Sequence, residues 1–187
     1  MESLLESLAR TQEFLSARGV HTAAIGGLAL SVWGRARLTK DVDIKVALTR
    51  DDAHLLLSAL PSEYQMLTEK PLESLQQIGF VFVQDPQGIR TDLLLSDNDF
   101  DDEVLKRAVV VTTDSGASIR VCTAEDLVVY KLIATRAHDQ EDALNVILRQ
   151  GKRLDSKYIE NWLEQFEVAL DDSTLVMTFR RMWQRLR

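Results

Sequence analysis

Apolar positions in the first quarter of the chain alternate between the spacing typical of helices and the spacing typical of strands. Leucine and phenylalanine recur at helical spacing through residues 2–18, which predicts a helix that ends at the following glycine. The apolar run at 20–25 predicts a short strand, and a short helix is predicted over 28–33, after a pair of glycines. Polar and apolar residues then alternate over 41–46, which indicates a strand with one buried face.

The middle of the chain contains alternating segments that flank turn-forming residues, a pattern that predicts β-hairpins. The predicted strand pairs are residues 78–83 with 89–95 and residues 108–112 with 118–122. The turns between them are Asp85-Pro86-Gln87-Gly88 and Asp114-Ser115-Gly116. A helix capped by Asp51 or Asp52 and ending near Pro61 is predicted before the first hairpin.

The pattern is helical from residue 123 to the end of the chain. Thr123 and Asp126 form an acidic variant of the capping box and begin a helix that is predicted to reach about Arg136. Further helices are predicted near 139–150, 155–168 and 173–186. We therefore predict an α+β fold in which residues 1–122 form a mixed β-sheet flanked by helices and residues 123–187 form a C-terminal helical bundle. No spacer separates the two parts, so we expect one cooperative unit.

Composition narrows the classes of protein that the chain can represent. The chain has 22 Lys and Arg against 29 Asp and Glu, a net charge of −7, which excludes a uniformly basic nucleic-acid-binding surface but not a local basic patch. The single cysteine, Cys122, excludes an intrachain disulfide and fits the reducing cytoplasm, where we expect the protein. No apolar run approaches the roughly 20 residues that cross a bilayer, and the charged N-terminus is not that of a signal peptide, so no membrane partner is expected.

Two carboxylates on the predicted strand at 41–46 are candidates for a metal site. Asp41 and Asp43 are two residues apart, so their side chains project from one face of the strand, roughly 6.5–7 Å apart at the α-carbons. The apolar residues between and after them point to the other face. Mg²⁺ is commonly held by one or two carboxylates together with substrate phosphates. The alternative is that the pair forms only the solvated face of an edge strand.

The glycines and the basic segment before these aspartates strengthen the metal hypothesis. Gly26 and Gly27 lie between a predicted strand and a helix start, where backbone N–H groups can approach a phosphate. Taken alone, the pair is more simply explained as a tight turn. The basic segment at 35–40 can neutralise a triphosphate or simply solvate a loop. A glycine turn, a basic loop and a carboxylate pair, in that order, are more specific together than any one of them.

The glycine pair followed by RLTKDVD at 37–43 resembles the signature of the DNA polymerase beta-like nucleotidyltransferase superfamily, and more narrowly the AbiEii-like nucleotidyltransferases of toxin–antitoxin systems. The resemblance implies a nucleotidyltransferase fold. The residues that it implies in phosphate binding are Gly26, Gly27, Arg37 and Thr39. Asp41 and Asp43 are implied to bind Mg²⁺. Many relatives have serine at the position of Gly27, so one hydroxyl contact to phosphate is expected to be missing.

A third carboxylate is implied on a later strand, and the matching position is Asp92. A carboxylate inside an apolar strand is costly unless it is paired or bound to a metal. In the implied site Asp92 shares the metal and orients or deprotonates an attacking hydroxyl. The alternatives are a surface aspartate on an edge strand and an aspartate paired with Arg90.

The resemblance extends into the helical part, to about residue 150. It implies that Lys131, inside an apolar helical run, contacts the triphosphate. The alternative is that Lys131 forms a salt bridge with Asp139 or Asp142, which share one helical face. Together with Arg136, these two aspartates are expected to support the site rather than to perform chemistry.

These residues predict an Mg²⁺-dependent enzyme that moves a nucleotidyl group from an NTP to an acceptor hydroxyl or phosphate on RNA, protein or a small molecule. The enzyme could be the toxin of a toxin–antitoxin pair, with an antitoxin protein as partner. A weak or inactive binding module with the same fold is the main alternative, and a small-molecule transferase is a third. The C-terminal basic residues, Arg180, Arg181 and Arg185, either contact RNA or an acidic partner or complement their own helix dipole.

Overall fold

The computed structural model describes residues 4–113, 116–134 and 136–186. The strands in these residues are β1 (Thr22–Ala24), β2 (Asp41–Val46), β3 (Gln65–Met66), β4 (Phe80–Gln84), β5 (Arg90–Leu95), β6 (Val109–Thr112) and β7 (Ser118–Val121). They form one sheet in the order β3-β4-β5-β2-β1-β7-β6. The sheet is mixed, because β2 runs parallel to β5 and β1 parallel to β7 while the other pairs are antiparallel.

The α-helices of the described residues are α1 (Leu4–Ser16), α2 (Gly26–Trp33), α3 (Ala53–Ala59), α4 (Pro71–Ile78), α5 (Asp99–Arg107), α6 (Ala124–Ile133), α7 (Ala137–Gln150), α8 (Ser156–Leu170) and α9 (Leu175–Trp183). A mixed sheet flanked by helices, with further helices after the last strand, confirms the predicted α+β class. None of the helices in the described ranges is long and apolar enough to cross a membrane.

The chain divides into two compact units. Unit 1 comprises the described residues up to Leu28 together with Leu38–Cys122, and it contains the whole sheet with α1, α3, α4 and α5. Unit 2 comprises Ala29–Arg37 and the described residues from Thr123 onward. Ala29–Arg37 lies within the part predicted from the sequence as residues 1–122, but the contacts of this segment group it with unit 2. Helix α2 therefore begins in unit 1 and continues in unit 2.

Central strands β2 and β5 show why unit 1 folds around this sheet. Val42, Ile44 and Leu93 are fully buried, whereas the polar residues that alternate with them in the first half of each strand are only half-buried. One face of each strand therefore contributes to the core. The alternation predicted for residues 41–46 is confirmed, and the strand has the predicted bounds.

Local turn and cap chemistry explains the ends of several elements. Asp85 closes the β4–β5 turn by accepting hydrogen bonds from the backbone N–H groups of Gln87 and Ile89, and the predicted hairpin is confirmed. The second hairpin, β6–β7, is also confirmed, although residues 114–115 of its predicted turn lie outside the described residues. Thr123 and Asp126 form the predicted capping box at the start of α6.

Three elements differ from the sequence-based expectation. Helix α4 was not predicted, and Ile78, expected to open a strand, is the last residue of that helix. Gly79 ends α4 in a left-handed conformation, φ 78°, with its N–H donating to the carbonyls of the preceding turn, so β4 starts only at Phe80. Helix α5 was also missed, although Asn98 caps it and acids occupy its first turn. Helix α6 ends at Ile133, short of the predicted end near Arg136.

Candidate active site

Asp41 and Asp43 lie on a central strand of the sheet. Both are half-buried and occupy the same face of β2, while Val42 and Ile44 are fully buried on the other face. Strand β2 is paired on both sides, with β1 and with β5. The alternative that this pair is only the solvated face of an edge strand is therefore excluded. Two carboxylates held half-buried on a central strand are costly unless other groups or a cation compensate their charge.

Asp92 joins this pair through the register of the sheet. Strand β5 runs parallel to β2, and Asp92 is the direct neighbour of Asp43, while Arg90 is the direct neighbour of Asp41. Neighbouring strands lie about 4.8 Å apart, so the pairing brings the three aspartates onto one patch of one sheet face. The structure thus brings together the three carboxylates that the sequence analysis selected.

Arg90 holds Asp92 by both carboxylate oxygens. Its Nε donates to Oδ1 at 2.6 Å and its Nη2 donates to Oδ2 at 2.9 Å. The guanidinium also lies over the ring of Phe82, 4.1 Å from the ring centre. The hydrogen bonds to Asp92 outweigh burial and, with the charges of Asp41 and Asp43, raise the pKa of Arg90. The alternative in which Arg90 pairs with Asp92 is therefore what the structure shows.

Thr39 and the glycines complete the surroundings of the aspartates in unit 1. The Thr39 hydroxyl donates to Oδ1 of Asp41 at 2.9 Å. Gly26 opens helix α2 with φ at +60°, and a Cβ there would overlap the Asp43 carboxylate and lie 2.7 Å from its Cγ. A Cβ on Gly27 would lie 2.7 Å from the Thr39 hydroxyl oxygen. Only glycine lets the start of α2 approach these side chains so closely.

This proximity bears on the serine that many relatives have at the position of Gly27. The Thr39 hydroxyl oxygen lies 2.7 Å from where a side chain on residue 27 would begin. Thr39 thus places a hydroxyl where a serine at 27 would need room. Thr39, which the resemblance already implied in phosphate binding, therefore has its hydroxyl next to residue 27.

The residues of this patch fit Mg²⁺ by their donor chemistry. Carboxylate oxygens are the ligands that Mg²⁺ prefers, and one or two of them with substrate phosphates are its usual protein site. Asp41 and Asp43 can supply that number, and the glycines leave the amino end of α2 beside Asp43. Across the described ranges, no group of three or more Asp, Glu, His or Cys side chains is arranged to hold a metal ion. A site that uses two carboxylates and a nucleotide does not require such a group.

Unit 2 contains an ion-pair cluster around Lys131. The ammonium of Lys131 is almost fully buried and lies 2.7 Å from Oδ1 of Asp139 and 2.9 Å from Oδ2 of Asp142. Arg136 pairs with the second oxygen of Asp139 at 2.6 Å, and Arg37 reaches Asp142 at 3.3 Å. The alternative salt bridge for Lys131 is present, and a contact with a triphosphate stays a prediction.

Charges in this cluster are unequally exposed. The side chains of Asp139 and Asp142 are 1% and 7% exposed, whereas those of Arg37 and Arg136 are 44% and 68% exposed. Burial by itself would raise the pKa of Asp139, but hydrogen bonds and charge from Lys131 and Arg136 outweigh it and hold that pKa below its usual value. Buried acids therefore anchor two arginines that remain accessible to an anion.

Sequence reasoning named Arg90 only as a possible partner and did not single out Phe82. The spacing of Arg90 and Asp92 on a strand places both on one face, so this signal was available. Phe82 is the β4 neighbour of Asp92, a relation that appears only in the sheet register. A groove of about 440 Å³ between α1 and β7 is lined by none of the three aspartates of the patch. The candidate site is therefore defined by its side chains rather than by the depth of a cavity.

Comparison with known proteins identifies the family and the fold of this chain. A family model described as "Nucleotidyl transferase of unknown function (DUF2204)" matches residues 4–178. A search of curated protein sequences found no match.

Solved structures of nucleotidyltransferase-like proteins are similar to this chain in fold. One is the antibiotic-resistance factor ANT(2'')-Ia, with a TM-score of 0.60 and 10% identity over 89% of this chain and 93% of the other. The structure of the same protein in complex with adenylyl-2''-tobramycin has a TM-score of 0.58 and 11% identity over 89% of this chain and 98% of the other. An antigenic nucleotidyltransferase-like protein from Paracoccidioides brasiliensis has a TM-score of 0.53 and 16% identity over 94% of this chain and 92% of the other. At these identities the likeness shows the fold, which is that of nucleotidyltransferases.

Proposed function

The chain belongs to this family of nucleotidyl transferases, and we propose that it is an Mg²⁺-dependent enzyme that moves a nucleotidyl group from an NTP to an acceptor hydroxyl or phosphate. One observation carries the proposal. Asp41, Asp43 and Asp92 share one patch on two neighbouring central strands, and Gly26 brings the amino end of α2 against Asp43. Phosphate charge, backbone N–H groups and a divalent cation are the natural complements of such a patch.

The site residues of unit 1 each have a defined role in this proposal. Asp41 and Asp43 would hold Mg²⁺, Asp92 would share it, and the Thr39 hydroxyl keeps Asp41 oriented by its hydrogen bond. The backbone N–H groups at Gly26 and Gly27 would donate hydrogen bonds to phosphate oxygens. Bound Mg²⁺ would supply charge neutralisation of the triphosphate. In unit 2, Arg37 and Lys131 stay predicted phosphate ligands. Arg37 is the more accessible of the two, while Arg136, Asp139 and Asp142 support them.

The proposed transfer is a substitution at the α-phosphorus. An acceptor oxygen forms a bond to that phosphorus, the bond to the bridging oxygen breaks, and pyrophosphate leaves. When the acceptor is a hydroxyl, its proton passes to the Asp92 carboxylate, which accepts it as a general base. Positioning of the two reactants and stabilisation of phosphate charge are the main contributions expected from the protein.

The proposed acceptors are a small molecule, RNA and protein. One structural neighbour is an antibiotic-resistance factor that has been solved in complex with adenylyl-2''-tobramycin, and this favours a small molecule among the predicted acceptors. RNA and protein acceptors are also part of the proposal, as is a role as an AbiEii-like toxin with an antitoxin partner. A binding module without turnover is the remaining candidate. We also keep the cytoplasm as the proposed location.

The test is to incubate the protein with each labelled NTP, Mg²⁺ and cell extract and to identify the labelled species. Asp43→Asn should abolish labelling. Asp51→Asn is the matched control, because Asp51 is an exposed acid of the same unit that lies outside the patch. Equal labelling by wild type and Asp43→Asn would contradict the proposed chemistry. Binding of Mg-NTP without any labelled product would favour the binding module.

A further inference from the structure

The pairing of Arg90 with Asp92 places a fixed positive charge inside the carboxylate patch. Both oxygens of Asp92 already accept a guanidinium N–H, at 2.6 and 2.9 Å. A bidentate arginine–carboxylate pair is among the stronger and more directional ion pairs in proteins. Any cation that approaches Asp92 meets this charge, and one lone pair on each carboxylate oxygen is already engaged. Arg90 therefore competes with a divalent cation for the negative charge of the patch in the arrangement that the structure shows.

Arg90 is held on a second side by an aromatic ring. Phe82 is the β4 neighbour of Asp92, and its ring lies beneath the guanidinium at 4.1 Å from the ring centre. A guanidinium above an aromatic face gains attraction from the ring quadrupole. The ion pair and the ring together define one preferred position for Arg90. This position is a built feature of the site rather than a chance surface contact.

The two partners differ in their freedom to move. The Asp92 side chain is 15% exposed, whereas that of Arg90 is 43% exposed. Asp92 cannot leave the sheet face, but the guanidinium has solvent beside it and can exchange one anionic partner for another. A nucleotide triphosphate brings such an anion to the patch. Guanidinium groups pair with phosphate in the same two-pronged manner as with carboxylate.

We propose that Arg90 is a positioning residue that occupies Asp92 in the nucleotide-free protein and releases it when a nucleotide binds. The inference rests on the function proposed above and adds a regulatory step to that site. Before nucleotide arrives, Arg90 compensates the charge of the patch and weakens its affinity for a divalent cation. After nucleotide arrives, the guanidinium pairs with a phosphate and no longer occupies the two Asp92 oxygens. Cation binding at the patch is thereby coupled to the arrival of the substrate.

The test measures Mn²⁺ binding by the nucleotide-free protein, with free Mn²⁺ followed by electron paramagnetic resonance. Arg90→Gln removes the charge and should bind Mn²⁺ about two- to fivefold more tightly than wild type, the range that corresponds to the strength of a partly exposed ion pair. Arg90→Lys keeps the charge but not the two-pronged contact and should give an intermediate affinity. Circular dichroism of each variant establishes that it is folded.

Arg50→Gln is the matched control. Arg50 also holds an aspartate of unit 1 by two contacts, at 3.0 Å each to Asp97, and its side chain is 42% exposed. Its loss should leave Mn²⁺ affinity unchanged. Arg90→Gln should also raise the KM for the NTP, because one phosphate partner is lost, whereas a purely structural role would not tighten Mn²⁺ binding.

The outcomes separate this inference from the proposed function. One outcome is that wild type binds Mn²⁺ with NTP in a manner that needs Asp43, while Arg90→Gln and Arg90→Lys bind Mn²⁺ without nucleotide no more tightly than wild type. That outcome overturns the inference about Arg90 and leaves the proposed transferase function intact. If neither wild type nor Arg90→Gln binds Mn²⁺ with or without NTP, both proposals are overturned.

Discussion

Replacing Gly26 by alanine probes the contact between the start of α2 and the aspartate patch. The backbone at Gly26 has φ at +60°, a left-handed conformation that costs an L-residue about 1–2 kcal/mol. The new Cβ would also overlap the Asp43 carboxylate and lie 2.7 Å from its Cγ. Asp43 must then leave its preferred rotamer, at a cost of about 0.5–1.5 kcal/mol. The expected loss of unfolding free energy is about 2–3 kcal/mol.

The displacement of Asp43 should affect activity more than stability. A shift of about 1 Å in a positioned catalytic group can lower the rate by about 100-fold. We therefore expect Gly26→Ala to lower kcat by about that factor and to weaken Mg²⁺-dependent thermal stabilisation. The assays are urea unfolding for stability and labelled-nucleotide transfer for rate.

Gly19→Ala is the matched control for this prediction. Gly19 has φ at +77° in the same unit, and a Cβ there would meet no atom within 4 Å. It carries the backbone cost of a left-handed alanine without the steric overlap, so only a loss of about 1–2 kcal/mol is expected, with transfer unchanged. Equal stability losses in the two variants, with full transfer activity in both, would refute the reasoning about Asp43.

Three further predictions address the charges of the two units. Asp43→Asn removes one of several neighbouring like charges, so in thermal melts the metal-free variant should be as stable as wild type or more stable. Its stabilisation by Mg²⁺ should disappear, whereas Asp51→Asn should retain that stabilisation. Lys131→Ala leaves two buried carboxylates without their ammonium partner, and it should lower the free energy of unfolding in urea by about 3 kcal/mol or more. The exposed control Lys152→Ala should lower it by about 0.5 kcal/mol or less. Equal losses of unfolding free energy would disprove a structural role for Lys131. The folded-state pKa of Asp139 lies below its usual value of 3.8, so its contribution to stability is complete above that value and is lost as the pH falls through the lower folded pKa. Asp139→Asn should therefore flatten the acid limb of a stability–pH profile, and an unchanged limb would contradict the assignment.

Features of this fold that depend on residues close in the sequence could be predicted from the sequence. The bounds of β2 follow from alternation alone, the β4–β5 turn follows from Asp85 and the residues after it, and the start of α6 follows from the Thr123 capping box. These signals act within about four residues, so no knowledge of the rest of the chain is needed. Helix α4 carried the same kind of signal, with Pro71 at its first position and a glycine after its last. It was missed although local chemistry specifies it.

Arrangements that join distant segments depend on the tertiary structure. Asp43 and Asp92 are far apart in the chain, and only the parallel pairing of β2 with β5 makes them neighbours. The resemblance to known nucleotidyltransferases supplied that relation in advance, whereas residue patterns could not. Which strands pair, and in which register, is settled by the burial of all apolar faces at once and not by any short segment.

The partner of each charged side chain is likewise a result of the complete fold. Sequence spacing left Asp92 as either a metal ligand or a partner of Arg90, and it left Lys131 as either a phosphate ligand or a partner of two aspartates. The structure contains the ion pair in both cases. A buried or half-buried charge pairs with whatever opposite charge the packing brings within reach, because its desolvation must be compensated locally. Local sequence therefore determined the strands, turns and caps, and the packing of the whole chain determined which charges meet on them.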